Sequence, residues 1–354
     1  MSKRNFNDIN KYRTAIMGFA ALWIYFYHEQ GYEWCHVYFS PQIVSRLLYF
    51  IKRLGFCGVD IFLLLSGIGL VYAIEKSSIG TFYRRRLERV FVPFVILGVC
   101  TALVEKWSIA SFLKKIFFYD FFFVDTISFL WYIPSVIILY LFFPLYYRYF
   151  KKSQHKFRFT LIFILIWLVL TVLFKDFIRY DFYRFTNRIP VFLCGILSGW
   201  LIREEKLCLG KLSWVVLGIS LAAGILLGFL TVSRGVYLLV PMSFFGVPAF
   251  LIGIAGTAFL AKGFSLVDNK LVGNLIVKFF SFFGSFSLEI YCVQDLIDDV
   301  FRTMMMSTYE HWMENWWKID IAVFLCTIAA AFILYYFTKP RNFSIFSKLS
   351  RTAD

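Results

Sequence analysis

The sequence predicts an all-α polytopic membrane protein with about ten transmembrane helices. Three observations lead to this fold class. First, 60% of the 354 residues are hydrophobic, whereas soluble domains are about 45–50% apolar. Second, apolar segments of roughly 20 residues, the length that crosses a bilayer as a helix, recur along the whole chain. Third, the sequence lacks the alternating pattern of a membrane barrel, and a helix satisfies its backbone polar groups within its own segment.

The apolar segments give bounds that are accurate to a few residues. The ten predicted helices are 12–28, 54–75, 90–105, 129–150, 158–174, 189–203, 212–232, 236–261, 276–301 and 318–338. The stretch 107–124 is interrupted by lysines and is predicted to be interfacial or re-entrant. No repeat and no separate soluble domain is visible, so we predict one membrane-embedded domain over 1–354.

The basic residues predict the orientation of these helices. The net charge is +15, with 37 Lys and Arg. Roughly two thirds of these cations lie on one side if the N-terminus faces the cytoplasm, as the positive-inside rule requires. We therefore predict that both termini are cytoplasmic. Topology accounts for most of the positive charge, and nucleic acid is not predicted as a partner.

Unusual polar residues gather near the outer ends of five predicted helices. They are His28 in "IYFYHEQ", Asp60 and Ser66 in "GFCGVDIFLLLSG", Trp131 in "FLWYIPS", Arg188 in "NRIPVFLCG", and Glu289, Tyr291 and Gln294 in "FSLEIYCVQDLIDD". Ionisable groups at membrane depth are costly and usually face a cavity or a partner. Each also has a structural interpretation, as an interfacial histidine, a helix cap, a snorkelling arginine or part of the aromatic belt. Together they predict a shared site.

A second cluster, "YRRRLERVFVPF", lies on the predicted cytoplasmic side and contains Arg84, Arg86 and Arg89. Arg86 and Arg89 are three residues apart and share a helix face. These charges are either topogenic or a binding site for a phosphate-bearing ligand, because the arginine fork matches phosphate geometry. The seven cysteines are scattered without a CxxC pair, so neither a disulfide framework nor a metal site is predicted.

Five motifs follow the helix-one histidine in the order "GVDIFLLLSG", "RRRLERVFVPF", "LWYIPSVIILYLFFP", "RIPVFLCG" and "GSFSLEIY". In these motifs and their order, the sequence resembles the acyltransferase 3 family. Its members are integral membrane enzymes that O-acylate sugars, lipids and cell-surface polymers. The match covers roughly residues 10–300. The resemblance implies acyl-CoA, usually acetyl-CoA, as a cytoplasmic co-substrate, and no permanently bound cofactor. It also implies a required histidine in helix one and a bacterial inner (plasma) membrane.

The sequence departs from the family pattern at two positions. The family commonly has an arginine eleven residues before its histidine, where this chain has Met17. Arg13 lies fifteen before, about one helical turn or 6 Å further along, and is the candidate replacement. The last motif usually ends in histidine, where this chain has Gln294. Because an amide cannot act as a base, His28 is the main candidate base.

These residues suggest a mechanism. His28 would act as general base on an acceptor hydroxyl, Asp60 would orient its imidazole, and Arg13, Arg84, Arg86 and Arg89 would bind the CoA phosphates. The oxyanion donor stays open among Tyr25, Tyr27, Ser66 and Arg188. The expected acceptor is a cell-surface or lipid-linked carbohydrate, and direct transfer and an acyl-enzyme both remain possible.

Two other functions fit parts of the sequence. One is a proton-coupled transporter or flippase for a lipid-linked sugar or small molecule, in which Asp60 and Glu289 would carry protons. The other is a non-catalytic membrane partner of a polysaccharide assembly system, which the loss of the second family histidine favours.

Overall fold

The described residues of the computed structural model are 6–29, 42–124, 130–174, 180–234, 246–306 and 316–339. All regular structure in these ranges is helical. The helices of eight or more residues are α1 Arg13–His28, α2 Gln42–Arg53, α3 Gly58–Ile74, α4 Ile79–Val104, α5 Ile109–Ile116, α6 Tyr132–Lys152, α7 Lys156–Leu173, α8 Ile189–Arg203, α9 Lys211–Arg234, α10 Gly246–Val267, α11 Leu271–Ser285, α12 Ser287–Met306 and α13 Trp316–Thr338. Shorter helices are Asp8–Lys11, Tyr119–Phe123 and Tyr180–Thr186, and a 3-10 turn spans Leu54–Cys57.

The prediction of an all-α polytopic membrane protein is confirmed. Eight helices within the described ranges are long and apolar enough to cross a membrane, and the number rises to nine if α11 and α12 form one broken span. These two helices meet at an angle of 68°. Helix α1 has 16 residues and is therefore about 24 Å long, and it is shorter than each of these eight spans, which have 18 to 32 residues. The figure of ten helices and the side of the termini stay predictions.

Helix α4 begins eleven residues before its predicted start at residue 90. Ser78 caps it, because its Oγ accepts a hydrogen bond from the backbone N–H of Thr81 at 3.3 Å. Serine is a preferred N-cap residue, and arginine favours helix nearly as well as leucine. The arginine cluster therefore lies on the first turns of a transmembrane helix rather than in a loop.

Two other predicted bounds also change. The predicted helix 276–301 is interrupted at Phe286 and becomes α11 and α12. The predicted helix 236–261 corresponds to α10, and its first ten residues lie outside the described part of the chain. The predicted interfacial stretch 107–124 contains two short helices, α5 and Tyr119–Phe123. Helix α2 was not predicted, because only one of its two faces is apolar.

Helix α3 lies at the centre of the fold. In the apolar window of the segment Ile43–Ile74, 94% of the residues are buried, against 11% for α7 and 17% for α9. A helix that is apolar on all sides is suited to burial on all sides, and α3 has the sequence "GVDIFLLLSGIGLVYAI". Helices α7 and α9 therefore face lipid, while α3 and its neighbours form the interior.

One acidic residue ties the ends of three interior helices together beyond the apolar spans. The Glu75 carboxylate, just after α3, lies 2.9 Å from Lys151 Nζ and 3.0 Å from Arg203 Nη1, and it accepts a hydrogen bond from the Tyr147 hydroxyl. Burial raises the pKa of Glu75, but these donors outweigh it and hold the pKa below its usual value. The ends of α3, α6 and α8 are thus fixed at one membrane face.

Helices α1 and α11 pack with their backbones in direct contact. A Cβ atom at Gly18 would lie 1.8 Å from the carbonyl oxygen of Phe280, and one at Gly284 would lie 1.8 Å from that of Thr14. Small residues allow such close approach between membrane helices. This contact fixes the helix that carries His28 against the helix that precedes α12.

We expect Gly284→Ala to separate α1 from α11 and to reduce the free energy of unfolding by about 1–3 kcal/mol. The measurement is thermal unfolding in detergent, followed by intrinsic fluorescence. Gly218→Ala on α9 is the matched control, since a Cβ there meets nothing within 4 Å and alanine favours helix. Equal melting temperatures for the two variants would contradict the close contact.

Candidate active site

A cavity opens where the ends of five helices meet. Its lining comes from the end of α1, the starts of α3, α6 and α8 with the short elements before α3 and α8, and the second turn of α12. The lining residues are Ile24, Tyr27, His28, Phe56, Val59, Trp131, Arg184, Asn187, Arg188 and Tyr291. Five residues singled out in the sequence thus line one cavity: Tyr27, His28, Trp131, Arg188 and Tyr291.

His28 is the last residue of α1, and its side chain is exposed to this cavity. Its Nδ1 lies 3.0 Å from the carbonyl oxygen of Ile24. A carbonyl only accepts hydrogen bonds, so the favoured tautomer carries the hydrogen on Nδ1. The lone pair is then on Nε2, which is the basic nitrogen.

Gln294 of α12 is buried beside the same ring, with its amide nitrogen 3.1 Å from His28 Nδ1. A protonated Nδ1 cannot accept from an N–H donor, and the oxygen and nitrogen of an amide are assigned from hydrogen bonding. With hydrogen on Nδ1, which the Ile24 contact favours, the Gln294 amide oxygen faces the ring; with hydrogen on Nε2, the Gln294 amide nitrogen donates to the Nδ1 lone pair. Gln294 then orients the imidazole, a task that needs no basic group.

A second, smaller pocket adjoins His28 on its other side. It is lined by Tyr25, His28, Glu29, Gln294, Asp295, Asp298 and Val323. The carboxyl of Asp295 interacts electrostatically with His28. A negative charge at this place stabilises a protonated imidazole. Asp295, one residue beyond Gln294, is therefore a candidate for this role, in a pocket that Glu29 and Asp298 also line.

The prediction that Asp60 orients His28 is wrong. Asp60 is fully buried, and its Oδ2 lies 3.5 Å from Nε of Arg188. A Cβ at Gly253 would lie 2.9 Å from the Asp60 Cβ, so the residue faces α10 and α8. Its neighbour Val59 lines the cavity instead. Among the described residues, Asp60 thus serves as the counter-ion of Arg188 and does not touch His28.

Two arginines flank Trp131 in the cavity wall. The guanidinium carbons of Arg188 and Arg184 lie 4.9 Å and 5.8 Å from the centre of a Trp131 ring. Arg188 also donates from Nη1 to the carbonyl oxygen of Arg184 at 2.8 Å. Such cation–π contacts fix both partners. The wall is therefore a preorganised surface that is both aromatic and cationic.

Tyr291 and Ser66 occupy different levels of the site. The Tyr291 hydroxyl accepts a hydrogen bond from the backbone N–H of Tyr132 at 3.3 Å, which joins α12 to the start of α6. Ser66 is buried on α3, six residues beyond Asp60, and does not line either described pocket. The structure thus places Ser66 outside both described pockets, whereas the sequence predicted it in the shared site.

Glu289 lies elsewhere than predicted. It is fully buried and forms a two-pronged ion pair with Arg89, in which Nη2 and Oε2 are 3.0 Å apart. Thr338, at the end of α13, donates from its hydroxyl to Oε1 at 3.5 Å. The Arg89 guanidinium also lies 5.7 Å from the centre of the Tyr335 ring. Glu289 therefore joins α4, α12 and α13 and does not belong to the outer cavity.

The remaining arginines divide into two kinds. Arg84 is exposed and lies 3.8 Å from Glu88 on its own helix. Arg13 and Arg86 are near enough to repel one another, and neither has a carboxylate partner among the described residues. The Arg13 Nε is buried without a hydrogen-bond partner. Two close cations without a counter-ion are suited to binding an anion.

A comparison with protein families finds a model described as "Acyltransferase domain", of the acyltransferase 3 family, that matches residues 14–336. The chain belongs to this family. Comparisons with curated proteins and with solved structures find no match. The chain is therefore a membrane acyltransferase, an integral membrane protein that acts on an acyl donor and an acceptor, and the resemblance seen in the sequence is confirmed.

Sequence reasoning about this acyltransferase missed one residue that makes room for Arg13. A Cβ at Gly69 would lie 2.3 Å from Nη2 and 2.6 Å from Cζ of Arg13. The guanidinium thus occupies the space that a side chain would fill. The signal in the sequence was the Gly-x-Gly of "LSGIGL" within a buried span, since a glycine in such a place often marks a close approach.

Sequence reasoning also left three pocket residues of the acyltransferase without a role. Arg184 lies in the short helix Tyr180–Thr186, Asn187 lies in the turn before α8, and Asp295 follows Gln294. Asp295 is one of the unusual polar residues of "FSLEIYCVQDLIDD", whereas only nearness to Arg188 in the sequence could have indicated Arg184 and Asn187. No group of three or more His, Cys, Asp or Glu side chains that could hold a metal ion occurs in the described ranges.

Proposed function

We propose that this acyltransferase moves an acyl group, in the first instance acetyl, from cytoplasmic acyl-CoA to a hydroxyl of a cell-surface or lipid-linked carbohydrate. Its location would be the inner (plasma) membrane of a bacterium. The observation that carries the proposal is the place of His28 in the cavity wall, with its Nδ1 3.0 Å from the carbonyl oxygen of Ile24. The tautomer in which Nδ1 donates to this oxygen leaves Nε2 as a free base beside the cavity.

The acceptor hydroxyl attacks the thioester carbonyl while His28 Nε2 takes its proton. The tetrahedral oxyanion then collapses, the carbon–sulfur bond breaks, and the imidazolium returns the proton to the leaving thiolate, which departs as CoA thiol. Tyr27 and Arg188 line the cavity and are the candidate oxyanion donors. Asp295 stabilises the imidazolium through charge, the role first assigned to Asp60.

The cavity wall suits a carbohydrate acceptor. Trp131, Tyr27 and Tyr291 give it three aromatic faces, and binding sites commonly combine apolar aromatic walls with a few placed polar groups. Arg184 and Arg188 supply donors for hydroxyl oxygens. The two carboxylates that the transporter alternative needs, Asp60 and Glu289, are both paired with arginines, which favours the enzyme.

Arg13 and Arg86 are the candidate ligands for the CoA phosphates. They have no carboxylate partner among the described residues, whereas Arg89 is paired with Glu289 and Arg84 faces solvent. Arg13 and His28 are separated by fifteen residues of one helix, which is about 22 Å. The pantetheine arm therefore spans this distance, or the acyl group is first transferred to an intermediate residue.

We expect Arg13→Gln and Arg86→Gln each to weaken binding of CoA by about 10–100-fold, because a hydrogen bond to a charged group contributes about 1.5–3 kcal/mol. The measurement is titration calorimetry of the protein in nanodiscs with CoA. Arg84→Gln is the matched control, since Arg84 is exposed on the same helix. An equal loss of affinity in all three variants would indicate nonspecific attraction to positive charge and sink the assignment.

A further inference from the structure

Helix α2 is amphipathic and has no part in the proposed chemistry. Its exposed apolar side chains are Ile43, Val44, Leu47 and Ile51, and at 100° per residue they share one face. The other face carries the buried Ser45 and the cation Lys52. Helices with one apolar face and cations on the polar face lie in the plane of a membrane interface.

The length of the polypeptide places α2 outside the hydrocarbon core. The continuous segment Ile43–Ile74 has 32 residues, or about 48 Å of helix, whereas the core is about 30 Å thick. Helix α3 has 17 residues, about 26 Å, and nearly fills the core alone. Helix α2 therefore extends beyond it, at the membrane face where His28 lies.

Three contacts tie the end of α2 to the end of α1. Trp23 donates from Nε1 to the carbonyl oxygen of Ile51 at 2.8 Å. The Arg53 guanidinium lies 5.6 Å from the centre of the Tyr27 ring. Lys52 Nζ lies 2.9 Å from Glu29 Oε2, and their side chains are only 12% and 15% exposed, so solvent screens this pair little.

These contacts involve both residues that flank His28 in the sequence. Tyr27 precedes it and packs edge-to-face on its ring, with centroids 5.1 Å apart, and Glu29 follows it. His28 is the last residue of α1, and the last turn of a helix frays easily. A base in this position needs outside support, and Lys52 and Arg53 provide it.

We propose that α2 lies on the bilayer interface, with its apolar face among phospholipid chains, and that Lys52 and Arg53 position His28 from there. Arg46, which is exposed on α2, complements the negative phosphates of the headgroups. The inference rests on the proposed role of His28 as base. It makes the geometry of the base depend on the docking of α2 to the membrane.

The positioning is tested with Lys52→Ala, the conservative variant Lys52→Arg, and the control Lys114→Ala. Lys114 is on the other short amphipathic helix, α5. The protein, labelled with ¹³C-histidine, is reconstituted in nanodiscs. It has four histidines, and the His28 resonance is assigned by its loss in His28→Ala. The second readout is CoA thiol release from acetyl-CoA.

Lys52→Ala should shift and broaden the His28 resonance and lower kcat about 10-fold or more, with KM for acetyl-CoA unchanged. Lys52→Arg should restore both, and Lys114→Ala should alter neither. An unchanged His28 resonance in Lys52→Ala overturns the positioning role. The resonance is read without turnover, so this outcome does not depend on whether the protein releases CoA thiol and is distinguishable from a failure of the proposed function.

The docking is tested with a photoreactive benzoylphenylalanine at Leu47, in nanodiscs of phosphatidylglycerol and phosphatidylcholine. Irradiation followed by mass spectrometry should give phospholipid adducts at this position. Adducts only with protein, whether the same chain or a second copy, overturn the lipid contact, and so does the absence of any adduct.

Discussion

Replacing His28 by alanine is expected to reduce acyl transfer by about 10²–10⁴-fold, the usual contribution of a general base. The reason is the lone pair on Nε2, which is free in the tautomer whose Nδ1 donates to the carbonyl oxygen of Ile24, 3.0 Å away. The measurement is free CoA thiol release from acetyl-CoA by protein in nanodiscs. Affinity for CoA should stay unchanged, because Arg13 lies about 22 Å away along α1.

Two further variants test whether the imidazole of His28 is the base. His28→Asn keeps a hydrogen-bond donor near the position of Nδ1 but has no Nε2, and it should be as inactive as His28→Ala. His155→Ala is the matched control, since His155 is exposed and precedes α7, and it should retain full activity. Wild-type rates in His28→Asn would show that the imidazole does not act as a base.

The cavity was partly predictable because helix length fixes the depth of a residue in the membrane. Apolar segments and their direction placed His28 at the end of α1, and Trp131 and Arg188 at the starts of α6 and α8. All three line one cavity. Their roles remain predictions, since the positions alone do not show which group accepts a proton.

The direction in which a side chain points was not predictable from a span that is apolar on all sides. Asp60 and Val59 are neighbours at the start of α3, yet Val59 lines the cavity and Asp60 meets Arg188. An amphipathic pattern would have distinguished the two faces, but α3 has none because it is buried all round. The pairing of Asp60 with His28 was therefore wrong.

The break between α11 and α12 was also hidden, since apolar residues recur on both sides of Phe286 within 276–301. The sequence predicts the depth of Glu289 in the membrane only if the helix is straight. The bend of 68° between α11 and α12 shows that it is not. Its partner Arg89 is 200 positions away. Contacts between distant segments depend on packing, and no local pattern encodes them.

Replacing Glu289 by alanine is expected to destabilise the protein by about 3–5 kcal/mol, because it leaves the Arg89 guanidinium unpaired among α4, α12 and α13. The measurement is chemical unfolding in detergent, followed by intrinsic fluorescence. Glu88→Ala is the matched control, since Glu88 lies next to Arg89 and pairs with the exposed Arg84 at 3.8 Å. That loss should be about 0–1 kcal/mol.

The double variant Arg89→Leu with Glu289→Leu distinguishes the structural role of Arg89 from the phosphate-binding role first predicted for it. Removing both charges leaves no unpaired ion, so stability should recover much of the loss seen in Glu289→Ala. Because Arg89 is engaged by Glu289 and Tyr335, affinity for CoA should stay close to the wild-type value. A large loss of CoA affinity in a stable double variant would indicate that Arg89 binds the CoA phosphates together with Arg13 and Arg86.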